Sequence, residues 1–278
     1  MAKIVAALAM VHNPFITGFP DAADPDQAHA VHAAYAAQRR ELEAASPDWA
    51  LVITNEHLRN AFYPYLPPLT LGVAPRFHSA KEPGAGLEEQ VVPSDESVSS
   101  QMLEAIWDGG ADVAYSHDLV LDHGTMVPLH FLTPNLDLPI VHIHQTTSRG
   151  PRAPLKRCYE LGRILRQVVE ARPSSERVAV IGTGGLSHWV GGPRMGQVNA
   201  AWDVHVLDLF KRRDDASLLA ITNADIESAG NGAHEIRNWI TVAGIVPEAP
   251  AEVVGYVEHI PPWIMGSAHV RFNLAKDG

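Results

Sequence analysis

The sequence predicts an α/β fold: a single domain with a mixed, mostly parallel sheet flanked by helices and a functional site at the carboxyl ends of the strands. Short apolar runs rich in Val and Ile alternate with longer helical stretches, which is typical of buried parallel strands joined by crossover helices. The 278 residues include 15 histidines and one cysteine, and several histidines fall just past the ends of apolar runs. Because ligands bind outside the carboxyl ends of strands in open α/β sheets, we expect those histidines to converge there.

The predicted strands are short apolar runs separated by turn-forming residues. The first two are KIVAALAM at 3–10 and WALVIT at 49–54, and a third clear run is RVAVI at 177–181. The other strands are predicted at 69–74, 111–115, 138–145, 252–259 and 267–272.

Helix signals fill the gaps between these strands. Asp24 gives an acidic start to an Ala-rich helix, Ser94 is the expected N-cap of a second helix, and Pro173 ends a third. The segment 77–93 is polar and contains glycine, which predicts either a mobile excursion from the fold or an element at the edge of the sheet. Helices are predicted at 24–45, 97–107, 154–171 and most of 196–246, and another begins near Met126.

Composition, net charge and cysteine content indicate the number of domains and the kinds of partner and compartment to expect. No repeat or low-complexity tract interrupts the alternation, so one α/β domain is predicted to span 1–278. The formal net charge of −11 argues against a nucleic-acid partner. Cys158 alone cannot form an internal disulfide, which fits a reducing compartment, and no run reaches the roughly 18 apolar residues that span a bilayer. We therefore expect a cytoplasmic protein with no membrane partner.

Two histidines and one carboxylate form a candidate metal site. His12 and His57 lie just beyond the first two predicted strands, although either alone is more often a hydrogen-bonded structural residue. Glu235 is the candidate third ligand, in the first turn of a helix capped by Asn231 or Gly232. Two imidazoles and one carboxylate make the facial triad that leaves positions open on non-haem Fe(II).

A glycine loop, GTGGLSH, follows the strand at 177–181 and ends at His188. It does not match the dinucleotide fingerprint G-x-G-x-x-G, because Ser187 stands where the third glycine should be. The glycines instead let the backbone turn sharply and bring His188 close to a ligand.

A competing metal set is built on His142 and His144, which lie two apart on a predicted strand and face the same side. With Asp122 or His123 the pair would suit a zinc or binuclear hydrolase that needs no oxygen. The alternative is that one face of this strand is simply polar.

Several longer motifs carry a family resemblance. They are GTGGLSHWVGGPR, LDHGTMVPL around His123, NEHLRNAF around His57, AHEIRNW and IPPWIMG. With these motifs, nearly the whole chain resembles the class III extradiol ring-cleaving dioxygenases, the superfamily of protocatechuate 4,5-dioxygenase β-subunits and 2,3-dihydroxyphenylpropionate dioxygenases. The last two motifs resemble the dihydroxyphenylpropionate branch, whereas the first motif and the chain length resemble the protocatechuate branch. The substrate therefore stays open.

The resemblance implies an Fe(II) enzyme that cleaves the ring of a catecholic substrate with O₂ and gives a ring-opened semialdehyde or acid. It implies His12, His57 and Glu235 as the iron ligands, the same triad that the strand ends suggest. It also implies His188 as the acid/base, and His123 as a second histidine that positions or deprotonates the substrate. A non-catalytic member of the same fold is the other alternative, but the joint presence of these residues argues against it.

The sequence also offers candidate residues for substrate binding and an expectation about assembly. Arg59 and Arg194 lie near the candidate segments and could pair with a substrate carboxylate, because a guanidinium binds a carboxylate bidentately, or could form surface salt bridges. Trp189 stands where the family commonly has glutamine, in the pocket wall beside His188. Protocatechuate, gallate, a catecholic propionate and catechol are candidate substrates. We expect a homo-oligomer, with or without a small lid subunit.

Overall fold

The computed structural model of the protein describes residues 1–274, where strands and helices alternate much as predicted. The strands are β1 (Lys3–Met10), β2 (Trp49–Asn55), β3 (Leu69–Gly72), β4 (Arg76–Ser79), β5 (Val91–Pro93), β6 (Ala114–Ser116), β7 (Val120–Leu121), β8 (Ile140–Gln145), β9 (Arg177–Thr183), β10 (Ala251–Ile260) and β11 (Met265–Phe272). The helices are α1 (Phe15–Gly18), α2 (Pro25–Ala45), α3 (Glu96–Asp108), α4 (His123–Leu132), α5 (Leu155–Glu170), α6 (Ala200–Arg212), α7 (Asp215–Ala220), α8 (Asn223–Ala229) and α9 (Ile236–Ile245). Across the described residues, none of these helices is long and apolar enough to cross a membrane.

An eight-stranded sheet in the order β10-β11-β1-β9-β2-β8-β3-β6 organises the fold. Its four central strands, β1, β9, β2 and β8, run parallel to one another. Strand β11 joins β1 in the antiparallel direction, and β3 does the same beside β8. The predicted α/β class, with a mixed and mostly parallel sheet between helices, is confirmed.

The central strands are buried on both faces, which explains their nearly continuous apolar sequences. All seven residues of β2 are buried, and so are the last six of β9. One core packs α5 and α9 against the sheet, and a second packs α2 and α4 against its other face. The two helix layers cover the faces of the sheet but not the carboxyl ends of β1, β2 and β9. The loops that follow these strands meet at that edge.

The polar excursion at 77–93 is largely ordered by a small second sheet in the order β5-β4-β7. Strand β4 pairs with β5 in the antiparallel direction and with β7 in parallel. A 3₁₀ turn, Pro83–Ala85, lies between β4 and β5. Of the two predictions for this segment, the edge element is the one that the structure contains.

Two predicted helix starts are wrong, and aspartate capping explains both. Asp95, not Ser94, caps α3, because its carboxylate accepts the Val98 N–H at 3.0 Å. Helix α4 begins at His123 rather than near Met126, since the Asp122 side chain accepts the Gly124 N–H at 2.8 Å. Asp and Ser are comparable N-caps in general, so sequence alone does not choose between neighbours. The second correction matters for function, because it places His123 at the very start of a helix.

Candidate active site

The candidate site lies at the carboxyl edge of the central sheet. His12 follows β1 by two residues, His57 follows β2 by two residues, and His188 ends the glycine loop that leaves β9. Glu235 closes a 3₁₀ turn, Gly232–Glu235, directly before α9. The turn replaces the predicted first helical turn. Asn231 occupies its N-cap position as predicted, but the Asn231 side chain bonds the backbone of Val190 instead of the turn.

His12, His57 and Glu235 come together around one point. His12 Nε2 is 3.4 Å from Glu235 Oε2, and His57 Nε2 is 3.7 Å from Glu235 Oε1. One ligand atom from each residue lies within 4.8 Å of the other two. Donors that share one transition-metal ion at about 2.1 Å each lie about 3 Å apart when at right angles. The three side chains therefore fit a divalent metal with only small adjustments.

Each histidine of this group is held through its other ring nitrogen. His57 Nδ1 is 3.1 Å from the Asp122 carboxylate, which can only accept, so Nδ1 carries the hydrogen. His12 Nδ1 is 3.0 Å from the Thr183 hydroxyl, whose own hydrogen is donated elsewhere, to the Thr54 hydroxyl or the Gly124 carbonyl oxygen. In both rings Nε2 is thus the nitrogen presented to Glu235. Such outer partners fix the tautomer and orientation of metal-binding imidazoles.

Glu235 is a buried, ionised carboxylate. The backbone N–H of Gly185 and the side-chain amide of Asn55 both donate to it. Burial alone would raise its pKa, but the neighbouring His12 and His188 outweigh burial and hold the pKa well below the usual range. A negative charge at this depth requires a cation nearby, and a metal ion would meet that requirement.

The two metal-facing imidazoles have opposite pKa shifts without metal. Burial lowers the pKa of His12, despite the opposing effect of Glu235. Burial would also lower the pKa of His57, but the Asp122 and Glu235 carboxylates outweigh it and raise this pKa to about 10. Burial would raise the pKa of Asp122, which the His57 charge lowers instead. The raised pKa favours a second proton on His57 in the metal-free protein, which a metal would have to displace, whereas the Asn55 amide nitrogen, a donor 2.8 Å from Nε2, favours the neutral ring.

His188 faces the same centre from the glycine loop. Its Nδ1 donates to the Leu186 carbonyl oxygen at 2.9 Å, which leaves Nε2 free and 3.9 Å from Glu235 Oε1. Its own carbonyl oxygen accepts the Gly232 N–H at 3.1 Å. A Cβ atom at Gly232 would lie 2.0 Å from His188 Nε2. Gly232 is thus what lets the ring occupy this position.

His123 lies beside the two metal-facing histidines. Its ring is 4.1 Å from the His57 ring and 5.9 Å from the His12 ring, measured between centroids. Its backbone N–H donates to Glu82 at 2.6 Å. Sequence reasoning missed Glu82, because an acidic residue in a polar excursion resembles its neighbours Glu88 and Glu89 until the fold is known.

A second buried carboxylate that the sequence did not reveal lies behind the glycine loop. Asp203 accepts the Ser187 N–H at 2.7 Å and the Ser187 hydroxyl at 2.9 Å, and the Tyr256 hydroxyl is 3.3 Å away. Burial raises the pKa of Asp203 to about 7, although the Ser187 hydrogen bonds oppose this. The contacts tie the residue before His188 to α6 and β10.

The three candidate substrate-binding residues all have partners within the protein. Arg59 is exposed, and its guanidinium is 3.4 Å from Glu82. Arg194, also exposed, lies 3.9 Å above the Trp189 ring. Trp189 itself is buried at the edge of the loop. A role for any of them in binding substrate stays a prediction.

The competing set on β8 is not assembled. His142 and His144 are both buried, and burial lowers the pKa of each. His142 Nε2 bonds the Thr125 hydroxyl at 2.6 Å, and His144 lies 3.5 Å from Glu56. Within residues 1–274, neither histidine belongs to a group of three possible metal ligands. Both rings are buried in the core, and among the described residues three of their four ring nitrogens have no hydrogen-bond partner.

The chain is similar to known aromatic ring-opening dioxygenases. A family model described as the catalytic LigB subunit of aromatic ring-opening dioxygenase matches residues 6–266. A 2,3-dihydroxyphenylpropionate/2,3-dihydroxicinnamic acid 1,2-dioxygenase of Paraburkholderia phymatum is 27% identical, with 92% of this chain and 93% of that protein covered. A protein of the same name from a Rhodococcus species is also 27% identical, with 94% and 96% covered.

The fold has a solved counterpart as well. The crystal structure of an uncharacterized protein from Escherichia coli K12 superposes with a TM-score of 0.57 at 14% identity, and covers 96% of this chain and 99% of its own. That likeness supports the fold alone. The family match confirms the resemblance to class III extradiol enzymes: the chain belongs to the family of catalytic LigB subunits of aromatic ring-opening dioxygenases, and it is an extradiol ring-cleavage dioxygenase.

Proposed function

We propose that this protein uses Fe(II) to cleave the ring of a catecholic substrate with both atoms of O₂, giving a ring-opened semialdehyde or acid. His12, His57 and Glu235 would hold the iron. The observation that carries the proposal is the mutual approach of their three ligand atoms, all within 4.8 Å. Two imidazoles and one carboxylate are the donor set that non-haem Fe(II) oxygenases use, with positions left open.

Charge at the centre favours an anionic catechol. A ferrous ion on two neutral imidazoles and one carboxylate has a net charge of about +1, lowers the pKa of hydroxyl groups that it binds, and provides the redox chemistry that O₂ requires. The side chains of the protein supply the binding site for the aromatic ring and the groups that transfer protons. Histidines suit the second task, because their ordinary pKa lies near neutrality.

His188 is proposed as the acid/base of the reaction. Since Nδ1 is committed to the Leu186 carbonyl, Nε2 is the atom that would take and return a proton. The packing of Gly232 against this ring restricts its motion. His123, whose ring lies beside that of His57, would position the substrate or deprotonate it.

The substrate is proposed to be a catechol of the protocatechuate, gallate or catechol-propionate type. The names of the relatives from Paraburkholderia phymatum and Rhodococcus favour the last of these. Arg59, Arg194 and Trp189 are the proposed contacts for a carboxylate and for the pocket wall. Arg194 is the better-prepared cation, because the Trp189 ring holds its guanidinium beside the His188 loop.

The domain organisation, location and assembly of the protein are also proposals. We propose that residues 1–278 act as one catalytic domain, which the family match over 6–266 supports. A cytoplasmic location fits the buried Cys158 thiol, whose pKa burial raises to about 12. A homo-oligomer, with or without a small lid subunit, is expected, and light scattering of the purified protein would determine the mass in solution.

One experiment tests the proposed function directly. The protein is reconstituted anaerobically with Fe(II), and O₂ uptake is measured with 2,3-dihydroxyphenylpropionate, protocatechuate, gallate and catechol. We expect uptake with at least one of the four and none after reconstitution with Zn(II). Absence of uptake across the panel, with bound Fe(II) verified, would contradict the proposal.

A further inference from the structure

The Glu82 carboxylate contacts His123 in two ways, and the proposed reaction assigns it no part. Its Oε2 accepts the His123 backbone N–H at 2.6 Å, and His123 Nδ1 lies 3.4 Å from the same carboxylate. The side chains of Glu82 and His123 are only 16% and 19% exposed. Because a carboxylate can only accept, the pair favours the hydrogen on Nδ1 and leaves Nε2 as the free nitrogen.

The loop that carries Glu82 is held firmly. Glu82 and Leu87 exchange two backbone hydrogen bonds of 2.9 and 3.1 Å around the 3₁₀ turn Pro83–Ala85. The turn packs on α1: Thr17 donates to the Ala85 carbonyl at 2.6 Å, and a Cβ at Gly18 would lie 2.2 Å from the loop backbone. The carboxylate is therefore positioned by ordered backbone, as an orienting group must be.

The charge around Glu82 is compatible with an ionised carboxylate. The Arg59 guanidinium is 3.4 Å from Oε1 of Glu82. Helix α4 begins at His123, so the amino end of this helix also lies beside the carboxylate. Positive ends of helices and guanidinium groups both favour a negative charge. Burial would raise the pKa of Glu82, but the bonds and charge of His123 lower it overall.

We propose that Glu82 is a positioning residue, which fixes the orientation and tautomer of the His123 imidazole for ring cleavage. The inference rests on the proposed function, in which His123 contacts the substrate. Without Glu82 the imidazole could rotate about its χ angles and exchange tautomers, so that Nε2 would face the substrate for only part of the time. Loss of a hydrogen bond that orients a reacting group typically lowers activity by roughly 10-fold to 100-fold.

The test compares Glu82→Ala, Glu82→Gln, His123→Ala and the double variant Glu82→Ala/His123→Ala, all reconstituted with Fe(II). Glu88→Ala is the matched control, because Glu88 lies in the same excursion and pairs only with the exposed Lys81 among described residues. Steady-state kcat and KM are measured by O₂ uptake with the best substrate of the four catechols. Fe(II) affinity and the midpoint of thermal unfolding are measured in parallel.

We expect Glu82→Ala to lower kcat by roughly 10-fold or more, with Fe(II) affinity unchanged. Glu82→Gln should recover part of kcat, since its carbonyl can still accept the backbone N–H. In the His123→Ala background, removal of Glu82 should lower kcat no further. A purely structural role would instead lower the unfolding midpoint and Fe(II) affinity together, and the double variant would show additive losses.

Three outcomes would overturn the inference, and they are distinguishable. Wild-type kcat in Glu82→Ala, with His123→Ala impaired, would contradict the role of Glu82 alone. Wild-type kcat in His123→Ala would contradict the proposed role of His123 and, with it, that of Glu82. Cleavage of none of the four catechols by the Fe(II)-loaded wild type would contradict the proposed function itself.

Discussion

Asp122 lies 3.1 Å from His57 Nδ1 and directs the other nitrogen of that ring toward Glu235. We predict that Asp122→Asn weakens Fe(II) binding by roughly 10-fold to 100-fold, because an amide can stabilise either tautomer and makes the imidazole less basic. Anaerobic Fe(II) titration measures the change. Asp118→Asn is the matched control, since Asp118 is exposed four residues earlier. Equal affinities in wild type and Asp122→Asn would contradict the orienting role.

The raised pKa of His57, about 10, predicts how metal uptake depends on pH. Below this pKa the metal-free site holds a proton on His57 and must release it to bind a cation. Apparent affinity for Fe(II) should therefore increase about tenfold per pH unit through the neutral range, while Glu235 stays ionised. Titrations at about pH 6, 7 and 8 measure the slope. The slope should be smaller in Asp122→Asn, and an affinity that does not change with pH would exclude the proton competition.

Sequence patterns predict the residues that end strands more directly than those that approach from other elements. His12 and His57 were predictable as site residues because parallel strands must end at one edge of the sheet. Glu235 was predictable as a carboxylate near a helix start and through the family resemblance, but the 3₁₀ turn that aims it depends on packing against the His188 loop. Glu82 had no local signal at all, because its approach to His123 depends on contacts between the 3₁₀ turn Pro83–Ala85 and α1.

Removal of the proposed acid/base should separate metal binding from turnover. We predict that His188→Ala retains Fe(II) but loses kcat by about 10²-fold or more, because it removes the proposed acid/base, whose Nε2 lies 3.9 Å from Glu235. Glu235→Ala should behave in the opposite way and lose Fe(II). Iron content and O₂ uptake are measured on the same preparations. Near-normal ring cleavage by His188→Ala would rule out its role.

Gly232 is predicted to be indispensable for the position of His188. In Gly232→Ala the new Cβ would lie 2.0 Å from His188 Nε2, so the ring must move. We expect kcat to fall at least about tenfold and the free energy of unfolding to drop by about 1–3 kcal/mol. Gly84→Ala is the control, because its Cβ would meet nothing within 4 Å. Kinetics and chemical denaturation measure both effects, and a fully active Gly232→Ala would mean that the ring position is not critical.

Asp203 should make the stability of the protein depend on pH in an unusual direction. Its pKa is about 7 in the folded state and 3.8 as the ordinary value, so the folded protein binds a proton more tightly than the unfolded chain. The bound proton stabilises the folded protein fully below pH 3.8, and this stabilisation is lost as the pH rises toward about 7. Asn at this position cannot ionise but can still accept the Ser187 N–H. Between about pH 4 and 7, the unfolding free energy of Asp203→Asn should therefore rise relative to wild type by up to about 1.4 kcal/mol per pH unit. Urea denaturation of both proteins across this range measures the difference, and parallel pH profiles would show that the buried carboxylate does not titrate there.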